Sequence, residues 1–237
     1  MNETEFLKNY DISEFETPLL SVDTVLFTYH ETHLKVLLVK RGQHPDKDKW
    51  GLPGGFVDQR KDADLKATAT RKVTEKTAVT PAYLEQLETF GNAKRDKRGW
   101  SVTVCYSALI AHQNCKRTMD SVSDVKWVKM NKLEKKEIAF DHKKIISAAR
   151  ERLRQKALYS IVPAYALPDE FTLPELQHLH ELLIGKSIQK KSFRRRIEQA
   201  DLLIDTGRKR SEGGRPASLY KLKKGTSSFN FIRNLEE

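Results

Sequence analysis

The sequence predicts an α/β protein with two domains, an α/β/α sandwich on a mixed sheet and a small winged helix-turn-helix domain at the C-terminus. Three observations predict it. Short runs rich in β-branched residues are separated by polar turns through the first half of the chain. A long amphipathic helical pattern closes that half. Two short helical patterns then precede a basic, Gly-rich stretch that is followed by a strand pattern.

The first domain is predicted element by element. Residues 19–29 and 34–41 form a hairpin, with HETH as its turn. Residues 50–58 form a Gly-Pro loop with a short strand, and residues 62–77 a helix. Further strands are expected at 84–90, 100–111 and 125–130, with a polar loop at 91–99. The helix at 142–159 is predicted from apolar residues in a helical period: Ile145, Ile146, Ala149, Leu153 and Ala157.

The second domain begins after residues 160–169, a proline-containing stretch that predicts a linker. Thr172 and Glu175 have the spacing of a capping box, and Gly185 is placed to end the helix that they start. The apolar stripe of this helix is Leu176, Leu179, Leu182 and Leu183. A second helix at 189–200 directs Phe193, Ile197 and Ala200 inward. The domains are therefore 1–158 and 159–237, with 1–15 as a flexible or interface arm.

Charge indicates a polyanionic partner for the second domain. The net charge is +11, and residues 186–224 hold 13 Lys and Arg against 4 Asp and Glu. In a winged helix the second helix enters the major groove of duplex DNA, and the wing reaches the backbone or minor groove. Protein–protein contact is the alternative, and RNA is disfavoured because no aromatic platform is present. The expected DNA contacts are Lys190, Lys191, Arg194, Arg195 and Arg196 in the helix, and Arg208, Lys209, Arg210 and Arg215 in the wing at 207–216.

Composition excludes several protein classes. No apolar run approaches the roughly 18 residues of a membrane helix, and the acidic, polar N-terminus is unlike a secretory signal. Cys105 and Cys115 lack the spacing of a zinc site or a disulfide framework. A cytoplasmic protein without membrane contact is therefore expected.

Residues 54–79 join a glycine-rich loop to a helix, an arrangement that suits phosphate handling. Hydrolysis of a phosphoanhydride uses divalent cations held by carboxylates. Positions 72, 75 and 76 share one helix face, but they hold Lys72, Glu75 and Lys76. Two ammonium groups repel a metal ion and attract phosphate. We therefore expect no catalytic residues, no metal site and no required cofactor. An ordinary surface helix of mixed charge is the alternative.

This segment resembles the Nudix box of enzymes that cleave nucleoside diphosphates linked to another group. Arg71, Glu75 and the hydrophobic residues at 73 and 79 fit that motif. Lys72 and Lys76 replace carboxylates, and Ala78 replaces a glycine. The spacing from Gly55 to Arg71 is also two residues longer than the usual pattern. The resemblance implies a Nudix fold over about residues 15–155.

The Nudix-like segment and the winged helix together resemble the NrtR family of transcriptional regulators. The shared stretches are WGLPGGFVD, LPDEFTLPELQ, SFRRRI and GRPASLYKL. The family implies a homodimeric repressor of NAD-biosynthesis or salvage genes that binds duplex operator DNA and senses ADP-ribose or a related nucleotide. The expected effector-binding residues are Arg41, Gly54, Gly55, Phe56, Arg71, Lys72, Glu75, Lys76, Phe90 and Arg98. Arg71 could equally serve a structural ion pair.

Three other functions remain open from the sequence. The chain could be an active Nudix hydrolase with an accessory nucleic-acid domain, which Lys72 and Lys76 disfavour. It could be a DNA-binding protein whose Nudix domain only dimerises, which the retained Gly54, Gly55 and Arg71 disfavour. It could also regulate sugar catabolism by sensing a sugar phosphate, as related branches of the family do.

Overall fold

The structure is a computed structural model, and it describes residues 2–211, 216–231 and 235. Its first domain contains α1 (Glu3–Asn9), β1 (Leu19–His30), β2 (His33–Arg41), β3 (Trp50–Gly51), β4 (Gly54–Phe56), α2 (Leu65–Thr77), β5 (Tyr83–Asn92), β6 (Ser101–Leu109), β7 (Val122–Lys129) and α3 (His142–Tyr159). The second contains β8 (Phe171–Thr172), α4 (Leu173–Ile184), α5 (Lys190–Ala200), β9 (Leu203–Arg210) and β10 (Ala217–Leu222).

The first domain is built on a mixed sheet of order β3-β2-β1-β6-β5. Strands β1 and β6 are parallel, and the other pairings are antiparallel, including β4 on β1 and β7 on β2. The predicted hairpin is confirmed, and Glu31 and Thr32 form its turn with φ of 50° and 60°. Positive φ at both positions matches the twist of the two strands that the turn connects.

Apolar side chains along the central strands point alternately to the two faces of this sheet, and helices pack on both faces. Val25 and Phe27 of β1 belong to the core that packs on α3, whereas Leu26 packs with Val73 of α2. Successive strand residues point to opposite faces, so one buried strand supplies both layers. The predicted α/β/α sandwich is confirmed. Helix α2 begins at Leu65, three residues later than predicted, because the Asp64 side chain caps it by accepting from the Ala67 amide at 2.7 Å.

Residues 160–169, which the sequence predicts as a linker, are largely buried in the structure. They contain a 3-10 helix at Val162–Ala166, and Ile161, Val162 and Leu167 are buried. The same apolar core runs from α3 through this segment to Phe171 and into the second domain. The prolines of this segment indicate a turn or linker, but its apolar side chains are buried, and the gain from burial outweighs the turn propensity.

The second domain has the predicted winged-helix plan. Thr172 and Glu175 form the capping box of α4, and Gly185 ends that helix with φ of 78°. Leu182 departs from the predicted stripe, since its side chain is exposed while Ile184 is buried. Strands β8, β10 and β9 form a small sheet in that order. Strand β9 extends to Arg210, so the predicted wing begins later, and Gly213, Gly214 and Arg215 lie outside the described residues.

The N-terminal arm contains the short helix α1, and every described residue before Leu19 is exposed. Asn2 caps this helix together with Glu5. Within the described ranges, no helix combines the length and apolar character needed to cross a membrane.

Candidate functional site

A cavity of about 190 Å³ opens at the end of the first domain where β4 follows β3. Strand β1, the last turn of α2, the loop at 93–99 and the start of α3 surround it. Six residues predicted to bind the effector lie in its wall: Arg41, Gly54, Gly55, Phe56, Lys76 and Arg98. The fold therefore gathers side chains from four separate segments around one basic cleft.

The two glycines are required by close backbone approach and by conformation. A Cβ on Gly54 would lie 2.1 Å from Asp23 Oδ1 and 2.4 Å from the Val22 carbonyl oxygen. Gly55 has φ of 156°, and a Cβ there would contact Lys72 Cε at 3.3 Å. Side chains at these positions would displace the wall of the cavity, so the GG pair keeps the cleft open.

Asp23 is a buried carboxylate at the base of the cavity. Its Oδ2 accepts from Thr103 Oγ1 at 2.8 Å and lies 3.9 Å from Arg95 Nη2 and 3.7 Å from His142 Nε2. Burial raises the pKa of Asp23, but His142, Thr103 and Arg95 outweigh it and bring the pKa to about 2. Asp23 is therefore ionised, and it balances part of the positive charge around it.

His142 and Arg95 are themselves fixed by further contacts. The His142 Nδ1 accepts a hydrogen bond from the Leu52 amide at 2.9 Å, which places the ring proton on Nε2, facing Asp23. Arg95 donates to both carboxylate oxygens of Asp141, at 3.0 and 3.1 Å. The start of α3 is thereby tied to the floor of the cavity.

Lys76 reaches the same cavity from the last turn of α2. Burial is the main cause that lowers the pKa of its ammonium, to about 8, with Lys72 and Arg41 adding repulsion and Asp23 opposing the shift. A buried cation of this kind is stabilised when an anionic group enters beside it. Lys76 therefore places a positive charge in the cavity, at a position where the Nudix motif has a metal-binding carboxylate.

Two arginine–aromatic pairs form the wall of the cavity. The Arg98 guanidinium lies 4.9 Å from the Phe56 ring centroid, and Arg41 lies 4.6 Å from that of Phe140. Arg98 is also held by Asp96, with Nη2 2.7 Å from Oδ2. Exposed aromatic and guanidinium faces can stack on a nucleobase, while the other donors of these arginines remain able to bind phosphate.

Four predicted effector residues lie outside the cavity wall. Arg71 and Glu75 pair with each other beside the cavity, with Arg71 Nη1 3.0 Å from Glu75 Oε2. Lys72 lies behind Gly55, and its Nζ is 3.9 Å from Glu75 Oε2. Phe90 is buried in the core that packs on α3, with Lys144 Nζ 5.4 Å from its ring centroid. Their direct contact with an effector stays a prediction.

Among the described residues, no group of three or more His, Cys, Asp and Glu side chains is arranged to hold a metal ion. The carboxylate of Glu75 is engaged by Arg71, and Lys72 and Lys76 flank it on the same helix face. The chemistry of this side-chain set suits an anion better than a divalent cation.

Sequence reasoning missed several residues of the cavity. They are Asp23, Arg95, Asp96, Phe140 and His142. They come from three distant parts of the chain, namely β1, the loop at 93–99 and the start of α3, so no local spacing links the whole set. An Asp at the centre of an apolar strand was the one available indication, because a buried carboxylate needs partners.

The predicted DNA contacts of the second helix lie on its outer face. Phe193 and Ile197 are buried, whereas Lys190, Lys191, Arg194 and Arg195 are exposed. Arg196 is half-buried. Arg194 Nε lies 2.8 Å from Glu198 Oε1 one turn further along. A strongly basic face on an otherwise anchored helix fits the major groove of duplex DNA.

Acidic residues near the start of α4 hold the cations of the wing strands. Glu170 pairs with Arg208, and its Oε1 lies 3.2 Å from Lys221 Nζ. Glu175, fixed by the capping box, pairs with Arg210. Lys209 lies between the two paired arginines and is exposed. These contacts fix the hairpin against α4 and leave Lys209 on its outer side.

Comparison with protein families supports both domains. Residues 163–222 match the NrtR DNA-binding winged helix domain, and residues 18–149 match the NUDIX domain. The chain is 40% identical over 235 residues to the ADPR responsive transcriptional repressor NtrR of Acinetobacter baylyi, covering 99% of this chain and 94% of that protein.

Two solved structures are also similar. NrtR of Shewanella oneidensis in complex with a 27mer DNA is 62% identical, covers 92% of this chain and 99% of its own, and superposes with a TM-score of 0.86. The NUDIX domain of that protein in complex with ADP ribose is 56% identical, covers 65% of this chain and 99% of its own, and has a TM-score of 0.63.

Proposed function

Because this chain belongs to the NrtR family of Nudix-related transcriptional regulators, we propose that it represses NAD-biosynthesis or salvage genes and releases its operator when ADP-ribose binds. The observation that carries the proposal is the basic cavity, where Lys76 occupies the position of a metal-binding carboxylate. The effector is bound intact, and no metal or cofactor is required.

The cavity fits the chemistry of ADP-ribose. Gly54 and Gly55 let the backbone approach a diphosphate, and Lys76 supplies an opposing charge at the end of α2. Phe56 and Arg98 offer a face on which adenine can stack. Asp23 and Asp96 accept hydrogen bonds, as the hydroxyls of a ribose donate them.

The DNA-binding mode follows from the exposed face of α5. This helix enters the major groove, with Lys209 of β9 against the phosphate backbone. A homodimer presents two such helices about 34–36 Å apart to a palindromic site. Shewanella oneidensis NrtR in its DNA complex has the same overall fold, which supports this placement.

Effector and operator are linked through the equilibrium between two dimer arrangements. ADP-ribose lowers DNA affinity only to the extent that it prefers the arrangement that does not bind DNA. A coupling of about 1–3 kcal/mol changes operator affinity roughly 5–150-fold, and the operator weakens ADP-ribose binding by the same factor.

Calorimetry with ADP-ribose tests the proposal. The protein is titrated alone and in complex with a duplex that it enriches from a random library. We expect binding to the free protein and an affinity at least 5-fold lower in the complex, with no release of AMP in the presence of Mg²⁺. Equal affinities would reject ADP-ribose as the inducer, and a sugar phosphate would be titrated next. Steady AMP release would favour the hydrolase function.

A further inference from the structure

The N-terminal arm and one end of the central sheet are two apolar surfaces of the same chain that remain uncovered. We propose that the arm, residues 2–16, docks on the sheet-end strip of a second copy, formed by Leu20, Trp100 and Val102. This contact borders the loop at 93–99, which carries Arg95, Asp96 and Arg98 of the effector cavity. The inference rests on the proposed function where it connects the dimer contact to effector release.

The arm has an apolar face that packs on nothing else in the part of the chain that the structure describes. Phe6 and Leu7 lie in α1 and Tyr10 directly follows it, and Leu7, Ile12 and Phe15 are 63%, 67% and 58% exposed. The Tyr10 ring lies 5.6 Å from the tilted ring of Phe6 and stacks on that of Phe15 at 6.1 Å between centroids. A seven-residue helix is marginal in water by itself. Burial against another surface would stabilise it.

The sheet-end strip is apolar and contiguous. Leu20 is paired with Val102 across β1 and β6, and Trp100 precedes β6 with half of its surface exposed. A Cβ on Gly91 would lie 3.2 Å from Val102 and 3.3 Å from Trp100, so these two side chains are neighbours. Leu20 points to the same face as Val22, which packs on α2, but the helix leaves Leu20 uncovered.

The charges around the arm and around the strip favour a second copy of this chain as the occupant of the strip. The arm carries five carboxylates, Glu3, Glu5, Asp11, Glu14 and Glu16, against one lysine. The loop beside Trp100 exposes Lys94, Lys97 and Arg98. Opposite charges therefore surround two apolar patches of the same chain, which is the complementarity expected of an interface between copies. A two-fold axis would repeat the contact from each arm to the other copy's strip.

The arm contact gives the effector a route to the dimer arrangement. Arg98 lines the cavity and lies two residues from Trp100. An effector that draws Arg98 toward its phosphates moves the loop on which the partner's arm lies. The arm position and effector binding are then linked, as a change in dimer arrangement requires.

Disulfide trapping between copies tests the contact. Two differently tagged chains are co-expressed in a Cys115→Ser background, one with Leu7→Cys and the other with Leu20→Cys. We expect a disulfide that joins the two tags under mild oxidation. The matched control replaces Leu7→Cys with Lys8→Cys, on the opposite side of α1, and should cross-link far less. Equal yields from both pairs would overturn the arm–strip contact.

Sedimentation of the Phe6→Ser/Leu7→Ser double variant gives a second measurement. These side chains are exposed in the single chain, so the circular dichroism spectrum should stay unchanged while the dimer dissociation constant rises at least 10-fold. ADP-ribose should still bind this variant but no longer alter its operator affinity at protein concentrations where it remains dimeric. An unchanged dimer constant, or an unchanged ADP-ribose effect, would contradict the inference. Loss of ADP-ribose binding in the unaltered chain, with trapping intact, would reject only the proposed function.

Discussion

Asp62 and Arg71 form a bidentate ion pair between the loop and helix of the Nudix-like motif, with Oδ1 2.6 Å from Nε and Oδ2 2.5 Å from Nη2. The side chain of Asp62 is 1% exposed. Its Oδ2 also accepts from the Asp58 amide at 2.9 Å. The longer spacing of this motif thus places an aspartate where it fixes the loop through Arg71, which indicates a structural role for both.

Replacing Arg71 by Met should lower stability while leaving ADP-ribose affinity within about 2-fold. The substitution leaves the Asp62 carboxylate ionised without its partner. In a chain of this size the melting temperature falls by about 2–4 °C for each kcal/mol of lost stability. The hydrogen bond from Arg71 lowers the pKa of Asp62. Stability from this pair is therefore present above the ordinary carboxyl pKa, near 4, and is lost as pH falls below it. Thermal melts from pH 7 to pH 3 should show that loss only in the unaltered protein.

Lys76→Met should weaken ADP-ribose binding about 10-fold at pH 7, equivalent to ~1.4 kcal/mol. The pKa of Lys76 is about 8, mainly because of burial. A diphosphate binds best to the protonated amine, so affinity should be constant below pH 8 and fall above it. Titrations at pH 6.5 to 9.5 should show this profile in the unaltered protein and not in the variant. Lys72→Met is the matched control; an equal loss there would contradict a specific role for Lys76.

The same Lys76→Met substitution should raise the melting temperature at pH 7. The unfolded chain holds the Lys76 proton up to about pH 10.5, whereas the folded chain releases it near 8. Stability therefore rises with pH between these values, because the unfolded state binds more protons. The variant removes the buried charge and should lose that rise. A lower melting temperature in Lys76→Met would show that the ammonium stabilises the fold even without an effector.

Local sequence patterns predict those features of the fold that depend on residues close together in the chain. The bounds of α3 were predicted to the residue from its apolar period, and the capping box placed the start of α4. The glycine pair predicts where the cavity lies, because Gly54 is in contact with the backbone of β1. Each of these features depends on residues near one another in the chain.

Features that depend on tertiary contacts were missed. Asp23, Arg95 and His142 meet only after β1, the 93–99 loop and α3 have assembled. The prolines near Ile161 and Leu167 indicate a linker, but both side chains are buried in the apolar core that they share with α3 and α4. The ion pairs of Arg208 and Arg210 with Glu170 and Glu175 likewise join positions that no spacing rule connects.

His180 should make the second domain acid-sensitive. It is fully buried on α4, and its Nδ1 lies 2.8 Å from the Ala157 carbonyl oxygen of α3. Its Nε2 has no hydrogen-bond partner among the described residues. Burial lowers its pKa to about 4. The unfolded chain is protonated near pH 6.5, so up to about 3 kcal/mol of stability is lost as pH falls from 6.5 to 4.

Denaturant titrations at pH 7 and pH 4.5 measure this effect. In His180→Leu the difference between the two pH values should shrink, although the variant also loses the hydrogen bond to Ala157. His178→Leu, an exposed neighbour on the same helix, should retain the full difference. An unchanged difference in His180→Leu would assign the acid sensitivity to other groups.

Arg195 should contribute more to sequence recognition than Arg194. Arg194 is held by Glu198 within α5, whereas exposed Arg195 makes no ion pair with the described part of the chain. A guanidinium whose donors are available can bind the O6 and N7 atoms of guanine, at about 1–3 kcal/mol of discrimination. Arg195→Ala should therefore reduce the ratio of operator to non-specific affinity by roughly 5–150-fold. Arg194→Ala should weaken both affinities similarly. It should also reduce the slope of log affinity against log salt concentration by about the amount expected for one phosphate contact. Anisotropy titrations at two salt concentrations separate these outcomes, and an equal ratio in both variants would contradict the assignment.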